Sequence, residues 1–244
     1  MIARIQAGFA GAQPASAPLA LRLWRSSLGR KYLAALTGLL LFGFVVAHML
    51  GNLKVFLGAE SLNAYAKFLK SAPELLWPAR LGLLGAAMLH VTAVISLWRE
   101  NRAARPVAYA GRRAPVAASL ASRSMTLSGS LVLAFIVFHL LHFTMGVVDP
   151  DLLALRDTQG RHDVYGMVVR EFSRPAIAVF YLVATGLLCL HLRHGVSSLF
   201  QSLGLRNKRY DRAFDRLAVA AAAAIFAGNG AIVLAALCGL LPAR

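Results

Sequence analysis

The 244-residue chain is more apolar and more basic than an ordinary soluble domain. Hydrophobic residues make up 58% of it, and 26 Lys and Arg against 10 Asp and Glu give a formal net charge of +16. This combination is typical of a polytopic membrane protein with basic cytoplasmic loops. Nucleic-acid binding is disfavoured as the source of the charge, because the basic residues flank apolar stretches and form no separate domain. Cys189 and Cys238 lie in apolar stretches and form neither a disulfide framework nor a CxxC metal motif.

Five apolar stretches are long enough to cross a bilayer as helices, which rise about 1.5 Å per residue. We predict an all-α integral membrane protein, a bundle domain over residues 32–241, after a surface segment at residues 1–31. The first twenty residues lack the uninterrupted apolar core of a signal peptide. The basic loops place the amino terminus inside and the carboxyl terminus outside. The predicted spans are residues 32–53, 76–98, 125–147, 175–198 and 217–241.

Two shorter stretches are predicted to form surface helices on the outer face. Residues 58–72 carry Leu62, Tyr65, Ala66 and Leu69 at helical spacing, and are too short and too polar to cross the membrane. Contact with the membrane and an ordinary loop helix both remain open for this stretch. Residues 163–172 form the second candidate, in a loop where acidic residues are concentrated.

Four of the five spans carry histidine, a residue that is costly inside lipid and therefore indicates function. Alternating span directions divide these histidines into an outer and an inner set, separated by roughly 10–15 Å along the membrane normal. The outer set is His48, His139 and His142, and the inner set is His90, His191 and His194.

Two histidines on different helices at one depth can bind both faces of a haem iron. A single such histidine is often only a packing residue, but two matched depths on four helices favour two haems b. Depth does not separate His139 from His142, whereas His191 lies deeper in its span than His194. Zinc is less well supported, because no carboxylate lies at these depths and Cys189 stands alone.

Two stretches carry a resemblance to a known family: SSLGRKYLAALTGLLLFGFVVAHMLGNLKVFLGAESLNAYAKFL and HLRHGVSSLFQSLG. They resemble the cytochrome b membrane-anchor subunit of succinate dehydrogenase and fumarate reductase, in its single-chain, five-helix, dihaem branch. The resemblance extends over residues 26–204. It implies that His48 and His139 bind the outer haem and that His90 and His191 bind the inner one.

The family pattern also selects within the two ambiguous pairs. Its third-helix ligand follows a glycine by about ten residues, here Gly129, which selects His139 over His142. Its fourth-helix ligand precedes a glycine by four residues, here Gly195, which selects His191. His142 and His194 then become candidate neighbours of the ligands.

The resemblance further implies a complex in the bacterial inner (cytoplasmic) membrane. A flavoprotein subunit would act on succinate or fumarate, and an iron–sulfur subunit would connect it to this anchor. The chain would pass electrons between that subunit and a quinone, menaquinone or another. It would thus be an electron-transfer subunit of the enzyme, because it has neither a dinucleotide-binding fingerprint nor a cysteine cluster.

Haem propionates need cationic or hydrogen-bonding partners, and each candidate for that role could equally be an interface anchor. No carboxylate lies within the first four predicted spans, so a proton path through a buried acid is not expected. The inner candidates are Arg30, Lys31, Arg123 and Ser124, and the outer ones are Asn52, Lys54 and Asn63.

Intramembrane histidines could also serve two other functions. A cytochrome b anchor of a hydrogenase or formate dehydrogenase would use the same cofactor, although the histidine arrangement argues against it. A histidine-dependent proton or metal transporter would bind no haem and would show broken helices with internal repeats, and the sequence has no convincing repeat.

Overall fold

A computed structural model describes residues 18–104 and 125–242 of the chain. In these two ranges the chain is helical and forms no β-sheet, apart from one isolated bridge between Arg156 and His162. Nine α-helices are described: α1 (Leu19–Arg25), α2 (Ser27–Asn52), α3 (Ala59–Lys70), α4 (Pro73–Ala103), α5 (Met125–His139), α6 (Asp151–Ala154), α7 (Val164–Phe172), α8 (Pro175–Ser202) and α9 (Asp211–Leu237). A 3₁₀ turn (Leu53–Leu57) extends α2, and a π-helical turn (Leu140–Thr144) extends α5.

Five of these helices, α2, α4, α5, α8 and α9, are long and apolar enough to cross a membrane. This confirms the predicted all-α, multi-pass architecture. The bounds differ from the predicted spans, because hydropathy marks the lipid-embedded part whereas helices continue until a capping or turn residue ends them. Thus α2 begins at Ser27, inside the predicted surface segment, after Ser26 caps the Gly29 N–H. The third span ends at Thr144 and the fifth helix at Leu237, before the predicted ends at residues 147 and 241.

The central helix of the bundle is α8. It packs against α2, α5 and α9, while α4 packs along α2. Small side chains at Ala178, Ala184 and Ala222 are buried where α8 and α9 meet their neighbours. All five spans keep large apolar side chains exposed, as expected for surfaces that face lipid.

One end of the bundle is covered by α3 and α7, and we call it the capped end. The structure confirms a helix in each of the two stretches predicted as surface helices. Both pack onto the bundle: Leu62 of α3 and Tyr165 of α7 are buried in one cluster with residues of α8 and α9. The opposite end, where α2 and α9 begin and α4 and α8 finish, is called the open end.

Asn63 holds the two capping helices together. Its amide nitrogen donates to Asp163 at 2.8 Å and to Asp157 at 3.3 Å, and its carbonyl accepts from the Tyr165 N–H at 3.0 Å. Since Asn63 is buried, these bonds satisfy a polar side chain that would otherwise destabilise the interface.

Candidate functional site

The two histidines predicted at the outer level face each other. His48 of α2 and His139 of α5 have ring centroids 5.9 Å apart, with the ring planes nearly perpendicular at 86°. Metal–imidazole bonds are about 2 Å long, so two rings on opposite sides of one iron lie roughly 6 Å apart between centroids. We call them the capped-end pair; their spacing fits a bis-histidine metal site.

The two histidines predicted at the inner level also come together. His90 of α4 lies within electrostatic range of His191 of α8. Each ring approaches a glycine on a neighbouring helix: a Cβ on Gly38 would lie 3.2 Å from Cε1 of His90, and one on Gly129 would lie 3.2 Å from Cε1 of His191. These glycines therefore let the two rings, the open-end pair, lie directly against the α2 and α5 backbones.

Hydrogen bonds on one side of each open-end ring leave the other nitrogen available. Nδ1 of His90 donates to the Ala34 carbonyl at 3.0 Å and lies 3.2 Å from the Thr37 hydroxyl. Nδ1 of His191 lies 3.4 Å from the Ser128 hydroxyl. No described residue bonds to Nε2 of either ring. A metal-binding histidine characteristically uses one nitrogen in this way and presents the other to the metal.

The same short pattern recurs on α2 and α5. A hydroxyl residue and a glycine are followed ten residues later by a histidine, in Thr37-Gly38…His48 and in Ser128-Gly129…His139. Ten helical residues rise about 15 Å, so each helix receives an open-end ring at one level and supplies a capped-end ring at the other. The Gly129 half of this pattern was recognised from the sequence. The Thr37-Gly38 half was not predicted, although the sequence has the same ten-residue spacing from Gly38 to His48.

His142, the alternative to His139, has both ring nitrogens engaged. The Tyr181 hydroxyl lies 2.9 Å from Nδ1, and the Glu171 carboxylate lies 2.8 Å from Nε2 of this fully buried ring. His139 has one long contact, 3.5 Å from Nδ1 to the Tyr181 hydroxyl. His139 therefore has a nitrogen available for a metal, whereas His142 would have to give up a buried hydrogen bond.

Tyr181 and Glu171 are site neighbours that the sequence interpretation missed. Glu171 belongs to the loop predicted to concentrate acidic residues on the outer side, and the structure buries it completely with the Arg174 guanidinium 3.3 Å from its oxygens. Helical periodicity could have indicated this burial. Glu171 lies seven residues after Val164 and three after Val168, so all three share the face of α7 that packs against the bundle. A buried acid thus lies near the third and fourth spans, just outside the predicted spans, which contain no carboxylate.

Aromatic rings enclose the capped-end pair. Phe44 stacks on His48 with centroids 5.4 Å apart, and Phe135, Phe143 and Tyr181 all lie within 6.0 Å of the His139 ring. These rings form an apolar wall on one side of the pair. It would also suit the edge of a flat macrocycle.

Arg30 is the propionate candidate that the structure favours. It is buried at the open end, where it donates to the Ser96 hydroxyl at 2.6 Å and forms an ion pair with Glu100. Its Nε is buried without a partner among the described residues, which fits an additional anionic group. Lys31 beside it is exposed, and Arg123 and Ser124 lie outside the described residues.

At the capped end, two of the suggested propionate partners are already engaged. Asn63 uses its amide in the cap, and the Lys54 ammonium lies over the Tyr65 ring, 5.6 Å from its centroid. His194, one turn beyond His191, is half-buried and makes no hydrogen bond with a described residue.

Taken together, the donors fit haem. In the described ranges, no three metal-binding side chains come together, and each level has a pair of histidines, the number of axial ligands that a haem iron takes. No protein-family model, curated protein or solved structure matches the chain. The functional assignment therefore depends on the two histidine pairs and on the sequence resemblance.

Proposed function

We propose that this chain is the dihaem cytochrome b anchor of a succinate:quinone oxidoreductase in the bacterial cytoplasmic membrane. It passes electrons between an iron–sulfur subunit and a membrane quinone, menaquinone or another. The observation that carries the proposal is the presence of two histidine pairs at two levels of one bundle. The succinate assignment comes from the sequence resemblance.

Bound haem would supply a one-electron carrier at each level. His48 and His139 would hold one haem, and His90 and His191 the other, each through the nitrogen that no described residue occupies. The Ala34 carbonyl and the Thr37 and Ser128 hydroxyls keep the open-end rings in the orientation that presents Nε2. Arg30 would hold a propionate through its unpartnered Nε.

The proposed electron path follows from the positions of the two histidine levels. The two levels are about 15 Å apart along the helices, so two haems held there would lie in series between the two membrane faces. The open end has the more basic loops, so it faces the cytoplasm under the positive-inside rule. An iron–sulfur subunit would therefore dock there, near the open-end pair.

The strongest alternative is a histidine-dependent proton transporter. The observation that favours it is the fully buried His142–Glu171 hydrogen bond, since buried His–carboxylate pairs occur in proton relays. A proton transporter would leave the capped-end pair and the open-end pair without a role. An anchor of a hydrogenase or formate dehydrogenase would use them in the same way and differs only in its partner.

The test is to purify the detergent-solubilised chain with its partners and to record a reduced-minus-oxidised spectrum and a pyridine haemochrome assay. We expect two haems b per chain, reduced by succinate in the intact complex. One haem would contradict one of the two levels. No haem in a folded complex would contradict the cytochrome function and favour the transporter, and reduction by hydrogen or formate instead of succinate would identify a different partner.

A further inference from the structure

A surface pocket of about 280 Å³ lies at the capped end, between α3 and the loop before α7. Lys67, Lys70 and His162 contribute to its lining. Arg80 and Arg156 lie within electrostatic range of Lys70, and Arg156 also affects His162. We call this set of five residues the cationic pocket.

Lys67, Lys70, Arg80 and Arg156 carry the charge of this pocket, because burial and the neighbouring cations lower the pKa of His162 although Asp163 opposes this effect. No ion pair of the described ranges joins these four cations to an acidic side chain. The Glu60 and Asp157 carboxylates bind the guanidinium of Arg161, at 2.6 and 2.7 Å. Asp163 accepts from Asn63 and caps the Gly166 N–H. Glu74, in the first turn of α4, forms no ion pair with any residue of the described ranges.

The excess of positive charge around Lys70 affects its pKa. Partial burial, and then the charges of Arg80 and Arg156, lower the pKa of Lys70 below its ordinary value. Like charges held together in this way repel one another, and a bound anion would relieve that repulsion. The charge of the pocket thus favours an anion.

Its location is at the expected membrane–water interface. Arg80 lies two turns into the membrane-crossing helix α4, with its guanidinium 5.2 Å from the centroid of the Trp77 ring. Trp77, Phe68 and Leu81 expose large apolar surfaces beside it. Exposed tryptophan and paired arginine are typical of the headgroup level of a bilayer.

The positive-inside rule does not explain the cluster. The basic loops of the chain lie at the open end, and the rule disfavours added cations at the other end. A group of cations at the capped end therefore needs a local reason.

We propose that the cationic pocket binds the phosphate headgroup of an anionic phospholipid in the leaflet at the capped end. Lys70 and Arg80 would donate to the phosphate oxygens, and the apolar surface around Trp77 would contact the acyl chains. Free phosphate offers the same oxygens but no acyl chains. An experiment can therefore distinguish a bound phospholipid from a bound phosphate ion. The proposal does not depend on haem binding.

The test compares lipid retention by the protein purified with its partners. The complex is equilibrated in mixed micelles with equimolar phosphatidylglycerol and phosphatidylcholine, and lipids that remain after gel filtration are quantified by mass spectrometry. We expect phosphatidylglycerol to be enriched in the wild type. Lys70→Gln/Arg80→Gln should lower that enrichment by about fivefold for each removed cation.

Lys208→Gln is the matched control, since it removes one exposed cation at the open end. It should leave the enrichment unchanged. Equal loss in this control, or full enrichment in Lys70→Gln/Arg80→Gln, would overturn the proposal. Should the double variant lose its helical circular dichroism, Arg156→Gln alone makes the same comparison, with an expected loss of about fivefold.

A second arm adds inorganic phosphate at increasing concentration. Retention of phosphatidylglycerol despite excess phosphate supports a lipid site. Its complete displacement by phosphate at the same ionic strength as a chloride control would overturn the lipid assignment in favour of a soluble anion. Haem content, measured in the same samples, is expected to be the same in every variant.

Discussion

The two histidine pairs have the same ligand chemistry but different surroundings. The capped-end pair is enclosed by aromatic rings and is linked through Tyr181 and His142 to the buried carboxylate of Glu171. The open-end pair is bordered by hydroxyls and glycines, and the buried guanidinium of Arg30 lies at the same end of the bundle. One level thus has a buried carboxylate nearby and the other a buried guanidinium, and the ion-pair partner of each is exposed to solvent that screens it. Such a difference can give identical cofactors different potentials.

The largest expected effect separates the two candidate ligands on α5. His139→Ala should reduce haem from two per chain to one, because it removes an axial ligand of the capped-end site. His142→Ala should retain both haems, since both nitrogens of His142 are already hydrogen-bonded. Pyridine haemochrome assays on both purified variants measure this directly. The opposite result, with His142→Ala losing a haem, would assign the ligand to His142.

The second prediction concerns the close approach of Gly38 to the His90 ring. Gly38→Val should displace that ring and weaken haem binding at the open end alone, since overpacking typically costs about 1–3 kcal/mol, which corresponds to roughly fivefold to 150-fold in affinity. Gly43→Val is the matched control on the same helix, because a Cβ there would meet nothing within 4 Å. Haem titration of the two apo-variants gives the affinities. Equal losses in both would mean that the effect comes from the helix and not from the ring.

The sequence was sufficient for the bundle and for the levels of the histidines. Uncharged runs of membrane-crossing length identify the five helices, and a constant rise per residue places His48 and His139 at one depth and His90 and His191 at another. These inferences succeed because they depend only on local composition and helical geometry.

The environment of each level could not be predicted in the same way. Glu171 is one of several acids in a loop rich in Arg, and only the packing of α7 onto the bundle buries it. Asn63 was a candidate propionate partner, but its amide joins segments about a hundred residues apart in the chain. Long-range contacts of this kind depend on how the elements pack, which composition does not specify.

The third prediction uses the charge difference between the two levels. In the wild type, the open-end haem should have the higher midpoint potential, because a nearby cation favours the reduced form and a nearby anion favours the oxidised form. Arg30→Gln should lower the open-end potential, and Glu171→Gln should raise the capped-end potential. Each shift should be on the order of tens of millivolts at an effective dielectric constant near 20.

Spectroscopic redox titration resolves these shifts, with Lys31→Gln as the control for Arg30, since Lys31 is adjacent but exposed. In Glu171→Gln, the introduced amide oxygen can still accept from Nε2 of His142, so this substitution changes the charge while keeping the hydrogen bond. A shift of the wrong sign, or a shift in Lys31→Gln as large as that in Arg30→Gln, would contradict the charge argument.

The smallest expected effect is a loss of stability at low pH that is confined to the capped end. The open end should be unaffected. Burial opposes ionisation of Asp157, but hydrogen bonds from the Arg161 side chain and from the Arg161 and Gln159 N–H groups outweigh it and hold its pKa below the ordinary value. The ionised carboxylate therefore contributes stability that is present above about pH 4 and is lost as the pH falls through the lowered pKa.

Protection of the Tyr165 amide against hydrogen exchange, normalised to the intrinsic rate, should fall in this range, because Asn63 holds that amide and also contacts Asp157. Asp157→Asn should reduce the pH dependence, leaving the part that comes from Asp163, which also accepts from Asn63. Asp151→Asn, at an exposed position, should preserve the full dependence. A wild-type protection that is constant down to pH 2 would show that the cap does not depend on the ionised Asp157 carboxylate.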